Sequence, residues 1–248
     1  MDKYLRPCLV EMIGVFLLCF LGAGAICANA VSGGQVGQVG IALAYGLGMA
    51  IVVTAALSIS GGHVNPAVTI TMWVLGKIDT IQMVYYIAAQ LLGGLIAGAF
   101  IALIFGGSGE ALRAGLGTPH IANAITTTGY QRILMAGLIE ALLTFGLVYA
   151  YFATAIDPKA PKVAGFGVGV AAVAGVLVGG LLTGAAMNPA RYLGVAVWEA
   201  GITGFSAMHD FTVYIAGPIL GAIAAGWLYS SYILPSEPVR AEPHHHGK

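Results

Sequence analysis

The chain has 248 residues, 58% of them hydrophobic and 8% charged, and its ten basic and ten acidic side chains balance to a formal net charge of +0. Soluble domains carry about 25% charged residues, so most of this surface faces something other than water, and an integral membrane protein is expected. A neutral balance gives no sign of a nucleic-acid or acidic partner.

Six apolar segments are long enough to cross a bilayer, about 9–28, 39–57, 81–105, 133–154, 163–182 and 211–233. The first has the length of a full span, and no cleavage context follows it, so a removable leader is not expected. Cys8, Cys19 and Cys27 fall in or beside that first segment; they form neither an even framework nor metal-ligand spacing and read as buried, inert thiols. Closely spaced small residues, such as Gly93, Gly94 and Gly98, let membrane helices approach backbone to backbone. Two further apolar pieces, about 66–75 and 189–198, are too short to span and read as re-entrant half-helices. Irregular backbone is not tolerated against lipid, so the Gly-rich leads into them must face protein or a water-filled cavity. Alternating six spans puts Lys3, Arg6, Lys77, Lys159, Lys162, Arg240 and Lys248 on one side and Arg113 and Arg132 on the other, which predicts cytoplasmic termini. The Pro- and His-containing tail, 235–248, reads as disordered, and its His244-His245-His246 run carries little functional weight.

Both short pieces begin with the same tripeptide, Asn65-Pro66-Ala67 and Asn188-Pro189-Ala190. Asn is a natural N-cap and Pro suits the first helical position, so each tripeptide marks a helix start. Their surroundings also match. Glu11 with Val15-Phe16 corresponds to Glu140 with Thr144-Phe145, the run 60–67 to 183–190, and the run 86–93 to 214–221. The chain therefore reads as a tandem repeat: 1–110 and 131–234, joined by a loop at 111–130. Three spans per half is an odd number, so the halves enter the membrane in opposite senses, and such inverted repeats share a site near the midplane. The two half-helices then meet N-terminus to N-terminus. Asn65 and Asn188 are each backed by about half an elementary charge of helix dipole, so two carboxamides and two positive helix ends converge on the shared site.

With Gly62-His63-Val64-Asn65-Pro66-Ala67-Val68-Thr69 and Met187-Asn188-Pro189-Ala190-Arg191, the sequence resembles the aquaporin, or major intrinsic protein, family from about Arg6 to Tyr232. That resemblance implies an all-α polytopic fold of six tilted helices and two half-helices, a pore in each protomer and a homotetramer in the cell membrane. Selectivity would come from pore diameter, lining donors and acceptors, and a cation or half-helix dipoles that exclude protons and ions. The resemblance puts the narrow filter at Tyr45, Val176, Ala185 and Arg191. Water channels of the family usually have Phe and His at the first two positions; glycerol channels have Trp and Gly, with a second aromatic at the third. Val176 departs from both patterns, removing a donor and widening the ring, and the set is similar to that of some archaeal and atypical bacterial members. Tyr192 stands where the glycerol branch has Asp. Ala185 occupies the position at which mercury-sensitive relatives carry Cys, so weak mercurial inhibition is expected.

Arg191 corresponds to Val68 in the first half, so the symmetry breaks there. A guanidinium at membrane depth is functional by default; a cationic constriction is the favoured role, with a structural pairing to Glu199 or a lipid headgroup as the alternative. Glu11 and Glu140 read as acceptors for the unpaired N–H groups of the re-entrant loops rather than as proton relays. His63 reads as a fixed loop-supporting group, with gating by protonation as its alternative, and Gln90, opposite Pro218 in the repeat, as a packing or loop-anchoring amide. No cofactor, metal site or enzymatic activity is expected. The function read from all this is a passive, proton-excluding channel for water and small neutral solutes. A mixed facilitator for glycerol, ammonia, hydrogen sulfide or carbon dioxide is the alternative, and a secondary active transporter the distant one.

Overall fold

The computed structural model describes residues 3–161, 163–204 and 210–234, and all regular structure among them is helical. Lys162 and the tail 235–248, with Arg240, Lys248 and the three consecutive histidines, lie outside the described residues. The helices are α1 (Leu5–Val31), α2 (Gly37–Ser60), α3 (Pro66–Val74), α4 (Thr80–Phe105), α5 (Gly109–Arg113), α6 (Gly129–Tyr151), α7 (Gly165–Gly179), α8 (Pro189–Thr203) and α9 (Phe211–Leu228). A single π-helical turn extends α6 through Phe152–Ile156, and another extends α9 through Tyr229–Ile233.

Five helices, α1, α2, α4, α6 and α9, are long and apolar enough to cross a membrane. The sixth expected span differs. The α7 helix has 15 residues, which at 1.5 Å each is about 22 Å and short of a bilayer core of about 30 Å. Its apolar run continues, but after Gly179-Gly180 the chain unwinds through a turn into the second re-entrant loop. At the other end of that loop α8 runs to Thr203, past the expected end at 198, because the Trp198 indole N–H docks on the Leu95 carbonyl (2.9 Å) and draws the helix along α4.

The arrangement of side chains is that of a membrane bundle. Leu103, Leu142, Val178 and Leu220 are 79%, 62%, 66% and 64% exposed, and they look outward from the spans while Gly and Ala line the helix contacts. With lipid outside there is no gain from burying large apolar groups, and close backbone packing holds the helices together instead. A Cβ added at Gly93 would strike the Met12 carbonyl across the α1–α4 contact, and one at Gly221 would strike Ala141 across the α6–α9 contact. The half-helices cross over: α3 packs on α9 and α8 on α4, while α2 meets α7 at the join between the halves. Both re-entrant loops are thereby carried to the middle of the bundle.

Candidate functional site

Each loop ahead of a half-helix carries backbone N–H groups with no helix or sheet to receive them, and a buried acid takes them up. In the first half, Glu11 accepts from His63 N (2.9 Å), Val64 N (2.6 Å) and the Ser60 hydroxyl (2.6 Å). In the second, Glu140 accepts from Ala186 N (3.0 Å), Met187 N (2.8 Å) and the Thr183 hydroxyl (2.6 Å). Tyr86 donates to the Ser60 carbonyl and Tyr214 to that of Thr183, at 3.0 and 2.7 Å. A tyrosine from the opposite half braces each loop as well, Tyr151 to the Gly61 carbonyl at 2.6 Å and Tyr45 to the Ala186 carbonyl at 3.1 Å. These bonds hold residues that local sterics disfavour: Val64, Ala185 and Met187 have φ of 41°, 46° and 50°, in the left-handed region that L side chains avoid.

Asn65 and Asn188 cap α3 and α8, accepting from Ala67 N (2.9 Å) and Ala190 N (3.0 Å) respectively. Their amide groups are exchanged between the loops: Asn65 Nδ2 donates to the Met187 carbonyl (2.8 Å) and Asn188 Nδ2 to that of Val64 (2.9 Å). A carboxamide nitrogen carries two N–H groups, so each asparagine keeps one donor free. Pro66, Ala67, Pro189 and Ala190 are buried and let the two helix starts approach.

Two cavities flank this junction. The larger, about 330 Å³, is lined by Tyr45, Val176 and Arg191 together with Gln38, Thr118 and His120. The smaller, about 10 Å³, lies among His63, Asn65, Val68 and Tyr151; a volume of that kind holds about one water. Ala185, fully buried beside Gly179, is outside the wall of the larger cavity, although Tyr45 bonds its chain neighbour Ala186. Arg191 is 1% exposed, with Nε and Nη1 unpartnered. Glu199 does not pair with it: Glu199 Oε1 meets His120 Nε2 at 3.0 Å. Eight residues along a helix is about 12 Å, which puts Glu199 well beyond the half-helix start that carries Arg191.

His63 Nδ1 lies 3.2 Å from the Thr69 hydroxyl, and its ring packs edge-on to Tyr86 and Tyr151. Gln90 Nε2 reaches both Glu11 Oε2 (2.7 Å) and Thr69 Oγ1 (2.9 Å). Among the cysteines, Cys19 and Cys27 are buried, whereas Cys8, expected to be buried, is partly exposed near the start of α1. Sequence reasoning missed Gln38, Thr118, His120 and Tyr151. The signal for the first three was thin: isolated polar residues at the edge of an apolar run or within an irregular loop. Among the described residues no group of His, Cys, Asp or Glu could hold a metal ion.

The fold and site have relatives. The chain is 39% identical over 241 residues to an aquaporin TIP4-4 from Zea mays, covering 92% of this chain and 87% of that one. It is 33% identical over 238 residues to an aquaporin NIP1-1 from the same plant, covering 96% and 78%. Among solved structures, the X-ray structure of the aquaglyceroporin from Plasmodium falciparum superposes with a TM-score of 0.80 at 22% identity, over 93% of this chain and 97% of that chain. The family description "Major intrinsic protein" matches residues 1–229, and the chain belongs to the major intrinsic protein family.

Proposed function

We propose that this protein is a passive transmembrane channel for water and small neutral solutes that excludes protons and ions. The observation that carries the reading is the reciprocal pair of cap amides, each bonded to the other loop's carbonyl and each with one N–H left over, at the meeting point of two helix N-termini between two cavities. A permeating water accepts from both amides, which leaves its own hydrogens directed outward along the path. Such a water cannot relay a proton through itself, and the positive ends of α3 and α8 repel hydronium. Tyr45, Val176 and Arg191, which share the larger cavity's wall, form the size and charge filter in this reading, with Ala185 buried beside them. The apolar Val176 favours passage of solutes larger than water.

The half-helices belong to two inverted repeats, both termini face the cytoplasm, and four protomers associate in the cell membrane. The excess of Lys3, Arg6, Lys77 and Lys159 over Arg113 and Arg132 supports that orientation. A coupled transporter needs carboxylates free to bind the driving ion, whereas Glu11 and Glu140 are taken up by loop donors. The test is stopped-flow light scattering on liposomes holding the full-length protein. Shrinkage in an osmotic gradient is expected to be at least tenfold faster than in empty liposomes, with no proton current. A rate equal to that of empty liposomes overturns the reading.

A further inference from the structure

The correspondence between the halves carries the filter positions onto a second ring. Tyr45 stands fifteen residues before Ser60 and Val168 fifteen before Thr183, so these two match. By the same count Val176 matches Val53, as Arg191 matches Val68 and Ala185 matches Gly62. All four counterparts, Val53, Gly62, Val68 and Val168, lie in the wall of the smaller cavity, on the α3 side of the asparagine pair. Where the filter has a phenol and a guanidinium, these four positions carry no polar side chain.

One further matched position separates the two ends. Eleven residues on from the paired acids stand Gly22, after Glu11, and Tyr151, after Glu140. Gly22 lies in the wall of the larger cavity and adds no side chain to it; Tyr45 packs so close that a Cβ there would come within 2.6 Å of its ring. Tyr151 lies in the wall of the smaller cavity and brings a whole ring. The aromatic position is thus exchanged between the halves, from the second helix in one to the first helix in the other. The Tyr151 ring is also fixed. Its hydroxyl donates to the Gly61 carbonyl at 2.6 Å, and His63 and Phe152 pack against it with ring centroids 6.3 and 6.1 Å away. The free volumes follow: about 330 Å³ beside Gly22 and about 10 Å³ beside Tyr151, the second being room for about one water.

We propose that Tyr151, with Val53, Val68 and Val168, is the size-determining constriction of the pore, and that it limits passage to molecules with a single heavy atom, such as water, ammonia and hydrogen sulfide. The valines offer a crossing molecule no hydrogen bond, and the Tyr151 hydroxyl is spent on Gly61. What remains is the free amide N–H of Asn65 and the His63 ring, enough for one small molecule. Urea or glycerol must shed hydration at several groups at once, with nothing at the ring to replace it. Val176 opens the filter to solutes larger than water, and the second ring turns back all but the smallest of them. This inference rests on the channel reading and names the solute class and a specificity residue for it.

The test uses full-length protein in liposomes, with water, urea and glycerol permeabilities measured side by side for wild type, Tyr151→Val, Val168→Ala and Val176→Ala. Wild type is expected to pass water well above empty liposomes and to pass urea and glycerol within about twofold of them. Tyr151→Val is expected to raise urea and glycerol flow about tenfold, and water flow less than about threefold, because pore diameter sets which solutes pass. Val168→Ala, which leaves the Tyr151 hydrogen bond in place, is expected to raise both solutes about threefold and carries the test if Tyr151→Val does not fold. Urea and glycerol admitted by Val176→Ala but by neither change at the second ring puts the size limit in the filter and overturns the inference. Wild type that passes urea or glycerol about tenfold faster than empty liposomes also overturns it, leaving the channel reading intact. Wild type no faster than empty liposomes to water overturns the channel reading and the inference with it.

Discussion

Glu11 accepts four hydrogen bonds in the first half, the fourth from Gln90, whereas Glu140 accepts three. The rest of the two loop supports match closely: an acid, two backbone N–H groups, a hydroxyl and a tyrosine on the preceding carbonyl. Where they diverge, the first half adds further support, and the second carries the residues that the proposed function puts in contact with solute. Gln90 ties Glu11 to Thr69, and Thr69 to His63; the corresponding positions in the second half are Pro218 and Tyr192, whose ring stacks on Tyr214 at 4.4 Å. Val68 corresponds to Arg191, and Gly62 to Ala185. A common frame fixes both loops, and under the proposed function the few unmatched side chains are what would let one loop read charge and size.

The largest expected effect comes from removing the shared part. Replacing Glu140 or Glu11 with Ala leaves two loop N–H groups without an acceptor, at about 1–3 kcal/mol each, so each variant is expected to lose about 2–6 kcal/mol in detergent unfolding experiments. Glu140→Ala is expected to impair water flow more, since Gln90 and Thr69 still hold the first loop in Glu11→Ala. Equal losses of flow would erase the asymmetry. Next is Arg191→Val, which makes the second half like the first. Sodium and proton leak through proteoliposomes is expected to rise about tenfold or more, from loss of a charge worth several kcal/mol at contact distance in partly shielded surroundings, while water flow persists. An unchanged leak would assign ion exclusion to the half-helix dipoles alone.

Smaller effects sharpen the contrast. Gln90→Leu is expected to destabilise by about 1 kcal/mol without changing selectivity, as fits a support residue. Ala185→Gly removes left-handed strain of about 1–2 kcal/mol against about 0.4–1 kcal/mol of added chain entropy, so a net gain of about 0.5 kcal/mol in unfolding is expected. The reverse exchange, Gly62→Ala, would press a methyl to 3.0 Å from the Val53 carbonyl and is expected to destabilise. The smallest effect is expected from mercuric ion. Among the described residues no cysteine lines either cavity, so water flow is expected to stay within twofold of its untreated value.

Much of the frame was legible in the sequence because its causes are local. Asn-Pro marks a helix start wherever it occurs, small residues mark close helix contacts, and a lone acid in an apolar span needs donors. Those rules located α3, the start of α8, and Glu11 and Glu140 as the residues toward which loop donors converge. The misreadings have tertiary causes. The early end of α7 depends on where the second loop must begin, and the extra turn of α8 on a Trp198 contact with α4. The alternative pairing of Glu199 with Arg191, not the favoured reading, falls away because Glu199 meets His120, which enters from a connecting loop with no periodic pattern to announce it. Gln38 was invisible because its partner is a backbone carbonyl on α7, and backbone carbonyls leave no mark in the sequence.

The exchanged bonds between Asn65 and Met187 and between Asn188 and Val64 also bear on assembly. Each loop lacks one acceptor's partner and one donor's partner until the other loop arrives, so neither half finishes folding by itself. A chain with one half misplaced keeps four polar groups exposed to a low-dielectric interior, and that penalty separates the finished bundle from near-miss arrangements of the same helices. The junction proposed as the water path is thus also the final latch of the fold, closed only when both halves are in register.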